Sequence, residues 1–236
     1  MLEVRQLCVS YGAVEATRNI TLTAPEGSTT AILGANGAGK SSLLRAISGI
    51  APVASGDILV GGESIAQLSA EKRARMGLSH AMEGRRIFKQ LTVEENLELA
   101  WSFGARTPAY ATARAAIYDR FPILKEKARV RAGLLSGGQQ QMAILSCATI
   151  RNPRYLLLDE PSLGLAPIIV TQIYDFISAY ARESGTTVII AEQMAAMALK
   201  VTDYGHVLRN GRMVLSGESR DLLARGAESL LSSTYL

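Results

Sequence analysis

The run ILGANGAGKSS (residues 32–42) sets a lysine and two hydroxyl side chains behind three glycines in the pattern G-x-x-x-x-G-K-S. That composition suits a phosphate ligand. Glycines let backbone N–H groups wrap phosphate oxygens without Cβ clashes. A helix beginning at the lysine adds the partial positive charge of its N-terminus. On this reading Gly34, Ala35, Asn36, Gly37, Ala38, Gly39, Lys40, Ser41 and Ser42 form a phosphate cradle. Lys40 is expected to reach the β- and γ-phosphates of a nucleotide, and Ser41 to ligate Mg²⁺. The run YLLLDE (155–160) is apolar and ends in two carboxylates. Asp159 is expected to face Mg²⁺ through water, and Glu160 to polarise the water that attacks the γ-phosphate. A third run, LLSGGQQQ (134–141), reads as a helix start whose N–H groups face an anion, but no lysine follows its glycines.

The elements that must carry these groups can be sketched from periodicity. Residues 1–24 alternate as two strands, with Pro25-Glu26-Gly27 as a turn, and 28–34 form a short buried strand ending in glycine. From Lys40 the pattern is helical, with Leu43, Leu44 and Ile47 on one face and Gly49 at the end. Residues 57–79 read as short β segments. LTVEENLELAWSF (91–103) opens with Thr92 and Glu95 at capping-box spacing, and helix-like sequence runs on to about Ile150 with breaks at Pro108 and Pro122. Strands are expected at 155–158 and 186–191, with a helix at 168–182 between them. Asn210-Gly211 marks a hairpin, and a short helix is expected near 218–225. The pattern is that of an α/β chain with an all-α block inserted in it.

Bulk properties narrow the classes. The 236 residues suit one large domain or a domain with an inserted lobe. With 48% hydrophobic and 19% charged residues a packed core is expected and a disordered chain excluded. A net charge of +4 is far from that of a nucleic-acid-binding tail. Basic residues gather at 72–75, 85–89 and 125–131, read as solvated faces, with a surface near anionic headgroups or a membrane partner as the sharper alternative. No apolar run approaches the roughly 20 residues of a membrane span, and the alternating N-terminus lacks a signal peptide's apolar core. Cys8 and Cys147 are too few for a disulfide framework or a zinc site, which fits a reducing cytoplasm. His80 and His206 read as packed or edge histidines, and the methionines, Met194 and Met197 among them, as core filler.

A phosphate loop, a helical insertion, and then LSGGQQQ some fifteen residues before the aspartate–glutamate strand together resemble the ATP-binding cassette (ABC) ATPases over essentially the whole chain. The resemblance implies an α/β P-loop NTPase core with an N-terminal antiparallel β subdomain and an inserted α-helical subdomain. Residues 1–236 would form a single ABC ATPase domain, with 1–84 and 151–236 as the core lobe and 85–150 as the helical lobe. It implies ATP and Mg²⁺ as cofactors. Ser136, Gly137, Gly138 and Gln139 would complete the γ-phosphate site of the opposite subunit in a head-to-tail dimer. Tyr11 falls where an aromatic ring stacks on adenine, and SLGLAP (162–167) where a loop touches the opposite subunit. Glu83 stands where most cassettes have a glutamine linking Mg²⁺ to the transmembrane partner, and Gln193 where most have a histidine that senses the γ-phosphate. EGRRIF, LTVEENL, DEPSLGLAP and AEQ together look like one of the paired ATPases of branched-chain amino acid importers. That subgroup also moves urea, amides and aromatic acids, so the solute does not follow. The chain departs from the pattern at Cys147, where an arginine is usual, and at SHAME (79–83), where Tyr-Val-Pro-Glu is more usual.

The implied partners are a second ATPase subunit, related or identical, two transmembrane permease subunits, and an extracytoplasmic solute-binding protein that delivers cargo. No nucleic acid is implied, and the implied location is the cytoplasmic face of the membrane, as a peripheral subunit. A soluble cassette protein acting on ribosomes or DNA would need a tandem cassette or a coiled coil, for which 236 residues leave no room. A phosphate-loop kinase or GTPase would lack LSGGQ. An exporter ATPase is the nearest rival, and the pairing of Glu83 with Gln193 argues against it.

Overall fold

The computed structural model describes residues 1–103 and 108–226. Residues 104–107, inside the stretch expected to be helical, and 227–236 lie outside the described residues. Strands β1 (Leu2–Tyr11), β2 (Val14–Ala24), β4 (Ser55–Val60) and β5 (Glu63–Ser64) make a four-stranded antiparallel sheet in the order β2-β1-β4-β5. Alternation in β1 buries Leu2, Val4, Leu7 and Val9 against Leu43, Leu44 and Ile47 of helix α1 (Lys40–Ile47). Each of those three α1 side chains is fully buried, worth about 2 kcal/mol apiece in apolar transfer.

The second sheet has six strands in the order β10-β9-β3-β8-β7-β6: β3 (Thr29–Leu33), β6 (Leu78–Ala81), β7 (Tyr155–Asp159), β8 (Thr187–Glu192), β9 (Tyr204–Arg209) and β10 (Arg212–Glu218). Its strands pair in parallel except for the β9–β10 hairpin, whose turn is Asn210-Gly211 as expected. β3, β7 and β8 are buried along their whole length, which explains their unbroken apolar runs. Because β3, β6, β7 and β8 run in parallel, their carboxyl ends share one edge, with Leu33 opposite Glu192 and Asp159 opposite Ala191.

Helices α3 (Val93–Ser102), α4 (Tyr110–Arg120), α5 (Pro122–Glu126) and α6 (Gly137–Thr149) follow β6, and α7 (Pro167–Ser184) follows β7. The capping box read at Thr92 and Glu95 is closed in both directions, and the break read at Pro122 falls between α4 and α5, with Pro122 in the first turn of α5. α6 is the most enclosed of these helices, with six consecutive buried residues from Gln141 to Ser146. Its Met142, Leu145 and Ala143 join Leu156 and Leu158 of β7 and Ile173 and Phe176 of α7 in one core. Cys147 packs against that core half-buried, and burial pushes its thiol up to about 12, which leaves it inert as a nucleophile. Helices α8 (Ala195–Lys200) and α9 (Ser219–Ala224) cover the β9 end of the sheet.

Three expectations are corrected. Residues 57–79 are not all β: α2 (Ala70–Arg75) lies among them, capped by the Ser69 hydroxyl, which accepts from the Lys72 amide. Six residues rich in charge show no apolar period, so the helix left no pattern to read. The basic cluster at 72–75 is not simply a solvated face. Arg73 is 2% exposed, and its guanidinium donates to the carbonyls of Ala46 and Ile47 at the end of α1 and of Ala66 and Leu68. Met194 is 48% exposed and is not core filler.

Candidate active site

The phosphate loop sits at the carboxyl end of β3 and opens on a cavity of about 660 Å³. Asn36, Gly37, Gly39, Lys40, Ser41 and Ser42 form its floor. Gly39 holds φ +105°, and a Cβ there would lie 2.5 Å from the Ala16 carbonyl oxygen. α1 then begins with no side-chain cap and no acidic residue in its first turn, so its first amides face the cavity unmatched by a protein acceptor.

Lys40 is 3% exposed and crosses beneath the loop. Its ammonium donates to the carbonyls of Gly34 (2.9 Å) and Ala35 (3.2 Å) and pairs with Glu160 at 3.0 Å, both side chains of the pair being almost wholly buried. Glu160 follows the end of β7 with φ +48°, a left-handed backbone that is costly for a residue with a Cβ and is commonest at functional sites. Its amide donates to the Ala191 carbonyl, which holds that turn against β8.

Ser41 donates from its hydroxyl to Asp159 Oδ1 at 2.9 Å. Asp159 Oδ2 is buried without a hydrogen-bond partner. Burial raises the Asp159 carboxyl above its usual range, and the negative charges of Glu83 and Glu160 add to this, while the Ser41 hydrogen bond and Arg45 oppose it. A hydroxyl, an unpartnered carboxylate oxygen and a nearby second carboxylate are hard oxygen donors of the kind Mg²⁺ takes. Among the described residues no cluster of three or more His, Cys, Asp or Glu could hold a metal unaided. A cation here would therefore complete its shell with phosphate and water. Glu83, from the loop after β6, lines the same cavity.

Sequence reading had not assigned the rest of the wall. Val14, Glu15, Ala16 and Arg18 of the β1–β2 hairpin line it, as do Arg45, Leu163 and the hairpin tip Asn210-Gly211. The Gly211 amide donates to Ala38 and the Gly211 carbonyl accepts from Arg18. Tyr11 does not line the cavity; it is 43% exposed and pairs across its hairpin with Val14, which does. Gln193 does not line it either. It is exposed and lines a neighbouring cleft of about 260 Å³ together with Glu160, Ser162 and Gly164.

The segment Ser136–Gln139 of the LSGGQQQ run, the signature below, stands apart from the phosphate-loop cavity. Ser136 is exposed and caps α6 in a closed capping box: its hydroxyl accepts from the Gln139 amide, and Gln139 Oε1 accepts from the Ser136 amide. The Gln139 side chain is thus committed to the cap, which leaves the amides of Gly137 and Gly138 to face outward at the helix start. The Arg85 guanidinium lies over Gly137; a Cβ on that glycine would meet it at 2.6 Å. The same guanidinium donates to the Gly164 carbonyl, so one side chain spans the Glu83 loop, the signature and the loop after Glu160. Arg85 stood in the EGRRIF run, but nothing in its spacing pointed to these contacts.

The family model for ABC transporters matches residues 17–163. The chain belongs to the ABC transporter family. It is 41% identical over 223 residues to the high-affinity branched-chain amino acid transport ATP-binding protein BraG of Pseudomonas aeruginosa, covering 94% of this chain and 95% of that one. It is 32% identical over 230 residues to the probable branched-chain amino acid transport ATP-binding protein LivF of Archaeoglobus fulgidus, covering 94% of each. Among solved structures it superposes on a dimeric ATP-binding cassette bound to ADP and phosphate, with a TM-score of 0.85 at 22% identity over 93% of this chain and 99% of that one. That likeness speaks for the fold, an ABC ATPase fold. No helix among the described residues is long and apolar enough to cross a membrane.

Proposed function

We propose that this ABC ATPase hydrolyses ATP to power import of branched-chain amino acids, or of a related small polar or organic-acid solute, across the cytoplasmic membrane. The observation that carries the ATPase reading is the double contact under the phosphate loop, Lys40 with Glu160 and Ser41 with Asp159. The names of the two relatives support the direction and the solute class. Lys40 exchanges its Glu160 partner for the β- and γ-phosphates, which frees Glu160 to accept a proton from the attacking water. The amides of Gly37, Gly39 and Lys40 hold the phosphate oxygens. Ser41, Asp159 and Glu83 are the residues that would hold Mg²⁺, which when bound neutralises phosphate charge and polarises the γ-phosphoryl group. Gln193 orients the γ-phosphate and the water, and Tyr11 stacks on the base.

The first-turn amides of α6 complete the site of an opposite subunit, with Ser136, Gly137, Gly138 and Gln139 carrying that face. Leu134, two residues before Ser136, is 78% exposed, and Leu163, in the loop after Glu160, is 51% exposed, apolar surface that suits a partner chain. The partner is a second ATPase subunit, a related chain or a copy of this one. Residues 85–150 act as a helical lobe against 1–84 and 151–236 and move two permease subunits fed by an extracytoplasmic solute-binding protein, at the cytoplasmic membrane face.

Glu160→Gln tests this. Turnover should fall roughly a hundredfold or more, because the amide cannot take the proton, while nucleotide affinity stays within a few-fold. Light scattering with Mg²⁺-ATP should show a dimer trapped with itself or with its partner ATPase. Hydrolysis at the parent rate would remove Glu160 from the mechanism.

A further inference from the structure

Glu192 ends β8 at 2% exposure, and no cation among the described residues pairs with it. Its carboxylate is instead divided between two loops. Oε1 accepts from the amide of Ser162 at 3.2 Å and from the Ser162 hydroxyl. Oε2 accepts from the amides of Gln193 at 2.9 Å and Met194 at 3.3 Å. Its backbone carbonyl accepts from the amide of Gly34, the first residue of the phosphate loop. The buried Tyr174 hydroxyl of α7 lies close enough for the Glu192 charge to raise its pKa further beyond what burial does.

A buried carboxylate held by neutral donors forms charge-assisted bonds, about twice as strong as neutral ones. Each oxygen here serves a different loop, so neither loop can leave without stranding charge in the interior. An apolar residue or a threonine would close a strand end without joining its neighbours in this way.

We infer that Glu192 is a positioning residue that locks the Gln193 turn to the Ser162–Pro167 loop, so that the two move as one unit against the phosphate loop. The inference rests on the proposed role of Gln193 at the γ-phosphate. It explains how a side chain outside the phosphate-loop cavity is brought to bear on it: displacement of the Ser162 loop carries Gln193 along.

The discriminating variant is Glu192→Gln. An amide of the same shape has one acceptor and one donor, so it can satisfy one loop but turns N–H groups against N–H groups at the other. Steady-state ATPase of the full chain in its assembled complex should show kcat lowered about tenfold or more with KM within twofold. Added to Gln193→Ala, Glu192→Gln should lower kcat little further, because both act through one amide. Parent kcat in Glu192→Gln, with Gln193→Ala impaired, would overturn the inference, as would full additivity of the two. Unchanged turnover in Gln193→Ala would instead sink the role of Gln193, and the inference with it. If Glu192→Gln does not fold, Ser162→Ala takes its place. It removes one donor and should lower kcat several-fold at constant KM, and a parent kcat there would equally overturn the lock.

Discussion

Helix α1 begins behind Gly39 with no side chain on its amides, whereas α6 begins behind Ser136 with both arms of a capping box closed. Both starts are rich in glycine, and the glycines are there for different reasons. Gly37 and Gly39 hold left-handed φ of 80° and 105°, conformations the loop needs in order to curl around an anion. Gly137 lies within a regular helix and needs no unusual backbone; what it lacks is room, because Arg85 covers its Cα. The phosphate loop is walled by distant parts of the same chain, the β1–β2 hairpin and the Asn210-Gly211 tip among them. The signature start instead faces outward with Ser136 exposed. The first surface is walled by its own chain, and the second, on the function proposed above, finishes a site that belongs to another chain.

The largest expected effect tests that division. Lys40→Ala should abolish turnover and weaken nucleotide binding by about a hundredfold or more, since the phosphates lose their buried cation. Ser136→Ala should leave the nucleotide affinity of the separated chain unchanged and cut turnover of the assembled enzyme roughly tenfold. Equilibrium titration with a fluorescent nucleotide, alongside steady-state ATPase, checks both. Weaker binding in the separated Ser136→Ala chain would break the comparison.

Stability should separate the two glycine types. Gly39→Ala strains φ and drives a Cβ into the Ala16 carbonyl, at about 3 kcal/mol. Gly137→Ala meets only a mobile side-chain end and gains helix propensity, so it should stay within about 1 kcal/mol of the parent. Arg85→Ala should relieve what cost remains at 137 and none at 39. Urea unfolding of the singles and doubles would show it, and relief at Gly39 by Arg85→Ala would contradict the assignment.

The smallest effect concerns pH. The two histidines are the groups concerned: His80 shares a hydrogen bond with Ser48, which caps the carboxyl end of α1, and His206 pairs in register with Ile32 of β3. Burial holds each at about 4, with Arg45 and Arg86 adding to the effect at His80. Each is neutral when folded and takes up a proton more readily once unfolded. Their contribution is therefore complete above about pH 6.5 and is lost as pH falls toward 4, about 1 kcal/mol each by pH 5.5. Denaturation midpoints from pH 7 to 4.5 should flatten in His80→Gln and His206→Gln. Curves parallel to the parent would show that these rings are not what titrates.

What the sequence determined by itself was local. The turn at Asn210-Gly211, the capping box at Thr92 and Glu95 and the start of α1 each depend on hydrogen bonds and φ preferences within a few residues, and all were legible. Lys40, Ser41, Asp159 and Glu160 could be named because each sits at the end of an apolar run or within a dense motif. Tertiary structure decided the rest. Ser41 meets Asp159 across 118 residues only because β3 and β7 flank β8 in parallel. Arg73 is buried because the carbonyls at the end of α1 happen to need donors there. The same holds for Arg85 over Gly137 and for Glu192 between its two loops. Such contacts are selected by strand order and packing, and no spacing along the chain encodes which distant backbone a buried charge will find.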